Sequence, residues 1–126
     1  MAKLDMIGIV CKDMAKAAAF YRELGLPFEE PGDEPYIEVE GPGGLRISLN
    51  ALTMVKEIDP HYEEPKGFRM GLAFKTDSPA EVDSLYNSLT SKGYASHKAP
   101  FDAFWGQRYA QVLDPDGNVV DLFAPL

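Results

Sequence analysis

Hydrophobic and polar residues alternate along several short segments of this chain, while two longer segments repeat their apolar residues every three to four positions. The first pattern is typical of β-strands with one buried face, and the second of amphipathic helices. Clusters of glycine, proline, asparagine and aspartate separate the segments and indicate turns. The sequence therefore predicts short strands at residues 4–11, 28–29, 36–40, 45–49, 70–76, 95–98, 107–113 and 119–123.

Two helices are predicted by the residues that start and stop them. Asp13 can cap a helix over residues 14–24, because its side-chain oxygen accepts the first free amide protons, and Gly25 allows a left-handed stop. Ser78 caps a second helix, which begins at Pro79 and stops at Gly93. Residues 50–66 show no clear period, so we expect a connector there that can hold a helical turn and fold over a site.

The order of elements recurs after a shift of 65 residues, which aligns Ile9 with Phe74 and Asp13 with Ser78. Each half then consists of a strand, a helix and three strands. This repetition predicts a single domain over residues 1–126, in which each sheet packs against its own helix. Module 1 covers about residues 1–50, a connector about 51–67, and module 2 about 68–126.

Each strand can be divided into two faces, because successive side chains point to opposite sides. One face is apolar and is predicted to pack under the helices: Ile7, Ile9, Ile37, Val39, Leu45, Ile47, Leu49, Leu72, Phe74, Ala110, Val112, Val120 and Leu122. The other face is mixed: Met6, Gly8, Tyr36, Glu38, Arg46, Ser48, Gln107, Tyr109, Gln111, Val119, Asp121 and Phe123. Large aromatic residues beside single charges favour a ligand pocket on this second face, and an open solvated face is the alternative.

The loop before Gln107 is unusually aromatic, since it contains Phe101, Phe104 and Trp105. A loop with this many apolar residues is generally covered, either by a ligand or by the neighbouring module.

Charge and cysteine content limit the classes of partner. The chain has 12 basic and 20 acidic residues, a net charge of −8, and no basic stripe, so a nucleic-acid binder is not expected. No apolar run approaches the roughly 20 residues that span a bilayer, so we expect no membrane partner. Cys11 is the only cysteine, which excludes an internal disulfide and suits a reducing cytoplasm.

Two segments resemble a known family. Residues 13–25 (DMAKAAAFYRELG) resemble the helix signature of the vicinal oxygen chelate superfamily, which contains glyoxalases, bleomycin-resistance proteins and dioxygenases. Residues 105–123 (WGQRYAQVLDPDGNVVDLF) are similar to the closing hairpin of that superfamily. The resemblance implies an α+β fold in which two βαβββ modules form a U-shaped mixed sheet around a cavity.

The same resemblance implies where a metal would be held. Metal-dependent members place His, Gln or Glu on the first and last strand of each module, and these positions fall on Met6, Ser48, Gly71 (or its neighbour Met70) and Asp121. Only Asp121 is a competent ligand of a divalent cation. His61 and His97 lie outside these positions. We therefore expect no metal and no other cofactor.

The resemblance and the mixed face together favour a metal-free member, similar to bleomycin-resistance proteins, that binds or sequesters a planar or cationic, antibiotic-like small molecule. Family members of this kind form homodimers, so a homodimer is expected. Glu38 and Asp121 would supply counter-charge to a cation, or form a carboxylate pair for acid–base chemistry. The expected ligand-binding residues are Met6, Tyr36, Glu38, Arg46, Ser48, Phe104, Trp105, Tyr109, Gln111, Asp121 and Phe123.

Two other classes of function stay open at this point. One is a lyase, isomerase or dioxygenase of the same superfamily with an atypical metal site, although the residues identify no catalytic group and thus favour binding over catalysis. The other is a module that binds only proteins, for which the sequence contains no dedicated feature.

Overall fold

The structure, a computed structural model, describes residues 1–126, which form two compact units, Met1–Glu64 (unit 1) and Pro65–Leu126 (unit 2). Unit 1 contains β1 (Met6–Cys11), α1 (Met14–Glu23), β2 (Tyr36–Glu40), β3 (Arg46–Ala51) and α2 (Leu52–Ile58). Unit 2 contains β4 (Leu72–Lys75), α3 (Pro79–Ser91), β5 (Ser96–Ala103), β6 (Gln107–Leu113) and β7 (Val119–Pro125). The chain is thus α+β, as the sequence predicts.

Unit 1 is a three-stranded sheet packed against α1. Strand β3 lies in the centre, parallel to β1 and antiparallel to β2. The N-terminus of α1 is capped as predicted, since the Asp13 carboxylate accepts a hydrogen bond from the Lys16 amide at 3.0 Å. Phe20 of the helix and Leu49 of the sheet are completely buried, so the apolar stripe of α1 forms the core with one face of β3.

The predicted strand at residues 28–29 is absent, although Phe28 itself is only 3% exposed. Its amide donates to the Leu26 carbonyl at 2.8 Å, and its carbonyl accepts from Nε of Arg22 at 2.6 Å. Both backbone groups of Phe28 therefore have local partners, and none remains for a sheet ladder. Phe28 is apolar because its side chain fills the core. The hydrophobic pattern alone does not distinguish such a buried loop residue from a strand residue.

The connector contains one regular element, a helix, where the sequence predicts only that a helical turn can form. Residues Leu52–Ile58 form α2 directly after β3, and the boundary between the two units, at Glu64 and Pro65, follows a few residues later. None of the three α-helices is both long and apolar enough to span a lipid bilayer.

Unit 2 is a four-stranded sheet in the order β4-β7-β6-β5, with α3 packed on one face. Ser78 caps α3 by accepting from the Glu81 amide at 3.2 Å, and the Glu81 carboxylate accepts from the Asp77 amide at 3.0 Å. Arg108 of β6 donates to both carboxylate oxygens of Asp83 in α3, at 2.9 and 3.0 Å. Because Arg108 points to α3, its neighbour Tyr109 points to the opposite face of the sheet.

A buried carboxylate organises the turn between β6 and β7. Asp114 is only 4% exposed and accepts from the amides of Asp116 and Asn118, at 2.9 and 2.8 Å, and from the side-chain amide of Asn118 at 2.7 Å. These bonds close the turn that the sequence predicts between residues 113 and 119. The hairpin register that results pairs Tyr109 with Phe123.

Strand β5 is longer and less regular than predicted. It covers Ser96–Ala103, whereas the sequence predicts residues 95–98. Its pairing with β6 shifts register twice, once on each side of Lys98, and it contains Pro100. Bulges and proline are typical of edge strands, and here they break the period-2 pattern that sequence analysis relies on.

Burial of Val120 gives a test of which strand face forms the core. Val120 is completely buried in β7, so we expect Val120→Ala to lower the free energy of unfolding by about 1–3 kcal/mol, through lost apolar contact and a residual cavity. The same change at Val39, a half-buried residue of edge strand β2, should cost less. Urea denaturation measures both values, and a larger loss at Val39 would contradict this division of the strands.

Candidate functional site

In unit 1 the predicted ligand residues lie on one face of the three-stranded sheet. Gly8, Ser48 and Glu38 are aligned across the three strands, and Met6 is aligned with Arg46 in the next row. The structure thus brings together the five residues of unit 1 that the sequence predicts as ligand contacts, namely Met6, Tyr36, Glu38, Arg46 and Ser48.

The Glu38 carboxylate is the centre of a polar network on this face. Its Oε2 accepts from the Tyr36 hydroxyl at 2.6 Å and from Nη1 of Arg46 at 2.6 Å. Nη2 of Arg46 contacts Oδ2 of Asp5 at 2.5 Å, and the Tyr36 hydroxyl lies 3.1 Å from Sδ of Met6. The charge of Glu38 is therefore already balanced by a cation of the protein itself.

The same contacts shift the pKa values in unit 1. The hydrogen bond from Tyr36, and then that from Arg46, hold the pKa of Glu38 below its usual range. The pKa of Tyr36 is raised, mainly because its proton is shared with Glu38. Arg46 beside Asp5 and Glu38 has its pKa raised further above its ordinary value. All three groups therefore stay in their usual ionisation state at neutral pH.

Ser48 differs from the other residues on this face because it is completely buried. Its hydroxyl accepts from the side-chain amide of Asn50 at 3.0 Å, and that amide also lies 3.4 Å from the Ile9 carbonyl. A Cβ atom at Gly8 would come within 3.2 Å of both Ser48 Oγ and Asn50 Nδ2. This part of the face is closely packed and leaves little space for a ligand atom.

An open groove of about 410 Å³ lies beside β2 on unit 1, and no pattern in the sequence predicts it. It is lined by Pro27–Pro31, Glu34 and Ile37–Val39, and of these residues only Glu38 belongs to the predicted ligand face.

In unit 2 three aromatic residues form a row across neighbouring strands. Phe101 of β5 pairs with Tyr109 of β6, which pairs with Phe123 of β7, and the ring centroids are 6.2 and 6.5 Å apart. We call Phe101, Tyr109 and Phe123 the aromatic row. Trp105 lies with its centroid 5.3 Å from that of Tyr109, in an edge-to-face arrangement, and its Nε1 donates to Oε1 of Gln107 at 2.8 Å. These rings form one continuous apolar surface.

Asp121 lies beside the aromatic row and holds two neutral donors. It accepts one hydrogen bond from the Tyr109 hydroxyl and another, at 2.9 Å, from Nε2 of Gln111. Burial, followed by the hydrogen bond to Asp121 and the charge of that carboxylate, raises the pKa of Tyr109 to about 12. Tyr109 is therefore a neutral donor at neutral pH and has no tendency to act as a base.

Two residues near the aromatic row show the limits of the sequence prediction. Phe104, a predicted ligand contact, is 97% exposed at the tip of the β5–β6 turn, and its ring contact is with Trp105 at 5.0 Å. Lys98 was not predicted, yet its Nζ lies 5.3 Å from the centroid of the Phe101 ring. The register shifts in β5 conceal Lys98, because they place residues three apart on the same face.

The side chains at the metal positions implied by the family resemblance do not fit a divalent cation. In unit 1 these positions carry the thioether of Met6, beside the Tyr36 hydroxyl, and the buried hydroxyl of Ser48. In unit 2, Gly71 has no side chain, and both carboxylate oxygens of Asp121 already accept hydrogen bonds. No group of three or more His, Cys, Asp or Glu side chains is arranged to hold a metal ion.

The contact between Tyr109 and Asp121 allows us to predict how the stability of the fold depends on pH. Unfolded Tyr109 loses its proton near its ordinary pKa of 10.0, whereas folded Tyr109 keeps it to about 12, so this group makes the fold less stable as pH rises through that window. We expect Asp121→Asn to lower the pKa of Tyr109 in a titration of tyrosinate absorbance, although the effect of burial remains.

The control for this titration is Glu57→Gln, the same loss of one carboxylate on the exposed surface of α2, which should leave the curve unchanged. An Asp121→Asn curve that coincides with that of the unaltered protein would contradict the assigned contact.

Comparison with known proteins agrees with this fold. Residues 3–122 match the sequence model of the Glyoxalase/Bleomycin resistance protein/Dioxygenase superfamily. Among solved structures, a glyoxalase/bleomycin resistance protein/dioxygenase family enzyme from Burkholderia phytofirmans PsJN is 26% identical with a TM-score of 0.85, and the alignment covers 99% of this chain and 100% of that chain. A glyoxalase/bleomycin resistance protein/dioxygenase from Nocardioides is 25% identical with a TM-score of 0.76, covering 100% of this chain and 85% of that one.

A lactoylglutathione lyase from Agrobacterium tumefaciens is 19% identical with a TM-score of 0.70, covering 98% of this chain and 94% of that one, and this likeness concerns the fold alone. No curated protein matches the sequence. The family match extends over nearly the whole chain and agrees with the two sheets and the capped helices described above. The chain therefore belongs to the Glyoxalase/Bleomycin resistance protein/Dioxygenase superfamily.

Proposed function

We propose that this protein binds a planar small molecule on the aromatic row of unit 2 and that it does so without a metal. The observation that carries the proposal is the alignment of Phe101, Tyr109 and Phe123 across three strands, with Trp105 edge-on to two of them. A flat ligand that lies on this surface contacts several aromatic rings and removes apolar area from water at the same time.

Exposure of the rings supports the proposal. Trp105 is 49% exposed, and the three residues of the aromatic row are half-buried, so their rings combine a fixed position with accessible surface. Rings whose orientation is set by sheet register lose little freedom when a ligand binds, and this reduces the entropic cost of association. An isolated surface aromatic residue lacks this advantage.

The polar groups of each unit, taken separately, favour binding over catalysis. Tyr109 is kept neutral, Asp121 accepts hydrogen bonds from Tyr109 and Gln111, and Glu38 of unit 1 is paired with Arg46. Cys11 is buried with its Sγ 3.3 Å from Sδ of Met14. In neither unit does one of these side chains place a nucleophile beside a free base, as acyl transfer would require, and the carboxylates that could abstract a proton already accept hydrogen bonds.

Trp105 provides the readout for this proposal, since it is the only tryptophan of the chain. A neutral probe, naphthalene carboxamide, should change Trp105 fluorescence and give a measurable heat of binding. Phe123→Leu should weaken that binding by about 2- to 10-fold, because it removes one ring of the row and keeps an apolar side chain. Titration calorimetry measures the ratio.

The matched control is Tyr86→Leu, which removes a ring on α3, on the opposite side of the sheet from the aromatic row. If naphthalene carboxamide, naphthalene carboxylate and naphthylmethylammonium all produce neither a fluorescence change nor a heat, the binding proposal is wrong.

The metal-free part of the proposal needs a separate measurement. Tag-free protein purified without chelators should contain well below one equivalent of zinc, nickel, manganese or iron per chain by elemental mass spectrometry. Probe affinity should also be the same with and without a chelator. About one equivalent of any of these metals would overturn this part and favour a metal-dependent lyase or dioxygenase.

A further inference from the structure

Lys98 is the first of three polar residues, Lys98, Gln111 and Asp121, that lie on neighbouring strands beside the aromatic row. It pairs with Gln111 of β6, which pairs with Asp121 of β7. Two strand spacings separate Lys98 from Asp121, or roughly 10 Å between their backbones. The face therefore presents an ammonium group at the β5 side and a carboxylate at the β7 side, with the aromatic row next to both.

The charge of Lys98 has no carboxylate partner in the protein. Its contact is the face of the Phe101 ring, 5.3 Å from Nζ to the centroid. Arg46 and Arg108 are different, because each of them bridges two carboxylates. Lys98 is thus the cation beside this surface that remains available to an acidic ligand group.

The contact between Lys98 and Phe101 also disfavours a cationic ligand at this end of the row. An aromatic face attracts a cation through its negative quadrupole, and here the lysine of the protein already occupies that face. A cationic ligand would have to displace Nζ and would be repelled by it. An anionic ligand has no such competitor.

We propose that the ligand of the aromatic row is a planar aromatic acid and that Lys98 is the residue that selects its negative group. This inference rests on the binding function proposed above. The remaining polar groups give the ligand an orientation. Gln111 donates one N–H to Asp121 and keeps its second N–H and its carbonyl, whereas Asp121 offers only lone pairs and can only accept. The acidic group of the ligand points to β5, and any hydrogen-bond donor points to β7.

Three probes of the same size and shape test the inference: naphthalene carboxylate, naphthalene carboxamide and naphthylmethylammonium. At low ionic strength we expect the carboxylate to bind roughly 2- to 5-fold more tightly than the carboxamide, the range for a partly exposed ion pair. The ammonium should bind most weakly. Titration calorimetry on the full chain gives all three affinities.

Variants at position 98 test whether Lys98 causes the preference for the carboxylate over the carboxamide. Lys98→Met should bring the ratio of carboxylate to carboxamide affinity close to one, and Lys98→Arg should keep it above one. Lys56→Met on α2 of unit 1 makes the same change in net charge and should leave the ratio unchanged.

The outcomes separate the two proposals. Binding of the carboxamide with equal or weaker binding of the carboxylate, or tightest binding of the ammonium, overturns the selection of an acid and leaves the binding site in place. A carboxylate preference that survives Lys98→Met overturns the role of Lys98. Absence of binding by all three probes overturns the binding function itself.

Discussion

The arrangement of the candidate site depends on the buried carboxylate of Asp114. Three donors of the turn converge on it, and the turn that they close sets the register of β6 against β7. That register places Tyr109 opposite Phe123 and Gln111 opposite Asp121, so the stacked rings and the polar pair share one face. A shift of β7 by one residue would turn Phe123 and Asp121 to the side of α3, away from Tyr109 and Gln111. The chemistry of the surface therefore depends on a turn that contributes no side chain to it.

Local signals in the sequence were sufficient for much of this fold. The caps at Asp13 and Ser78 and the closing hairpin lie where the pattern predicts them, because each depends on a few neighbouring residues. Phe28 was misinterpreted, since an apolar residue buried in a loop has the same pattern as one in a strand. Strand β5 was predicted too short, because its bulges and Pro100 interrupt the alternation. A contact between residues that are distant in the chain leaves no local pattern in the sequence.

The charges of the candidate site illustrate the same limit. Alternation along the strands placed Glu38 and Asp121 on the predicted ligand face, but it could not show which charges are already paired. Glu38 turns out to be balanced by Arg46, whereas Asp121 holds only neutral donors. Lys98 was concealed by irregular backbone. The acidic composition of the chain is therefore a poor guide to this surface, since affinity for a charged ligand depends on unpaired groups and not on net charge.

The irregularity of β5 has a consequence for the behaviour of the protein at high concentration. This strand is the outer edge of its sheet, where unpaired backbone groups could add a strand from another molecule. Two register shifts twist that edge away from a flat ladder, and Pro100 removes one of its amide donors. At the other end of the sheet order, β4 is only four residues long and offers a short template. The same irregular backbone that brings Lys98 to the aromatic row thus protects the sheet against edge-to-edge aggregation.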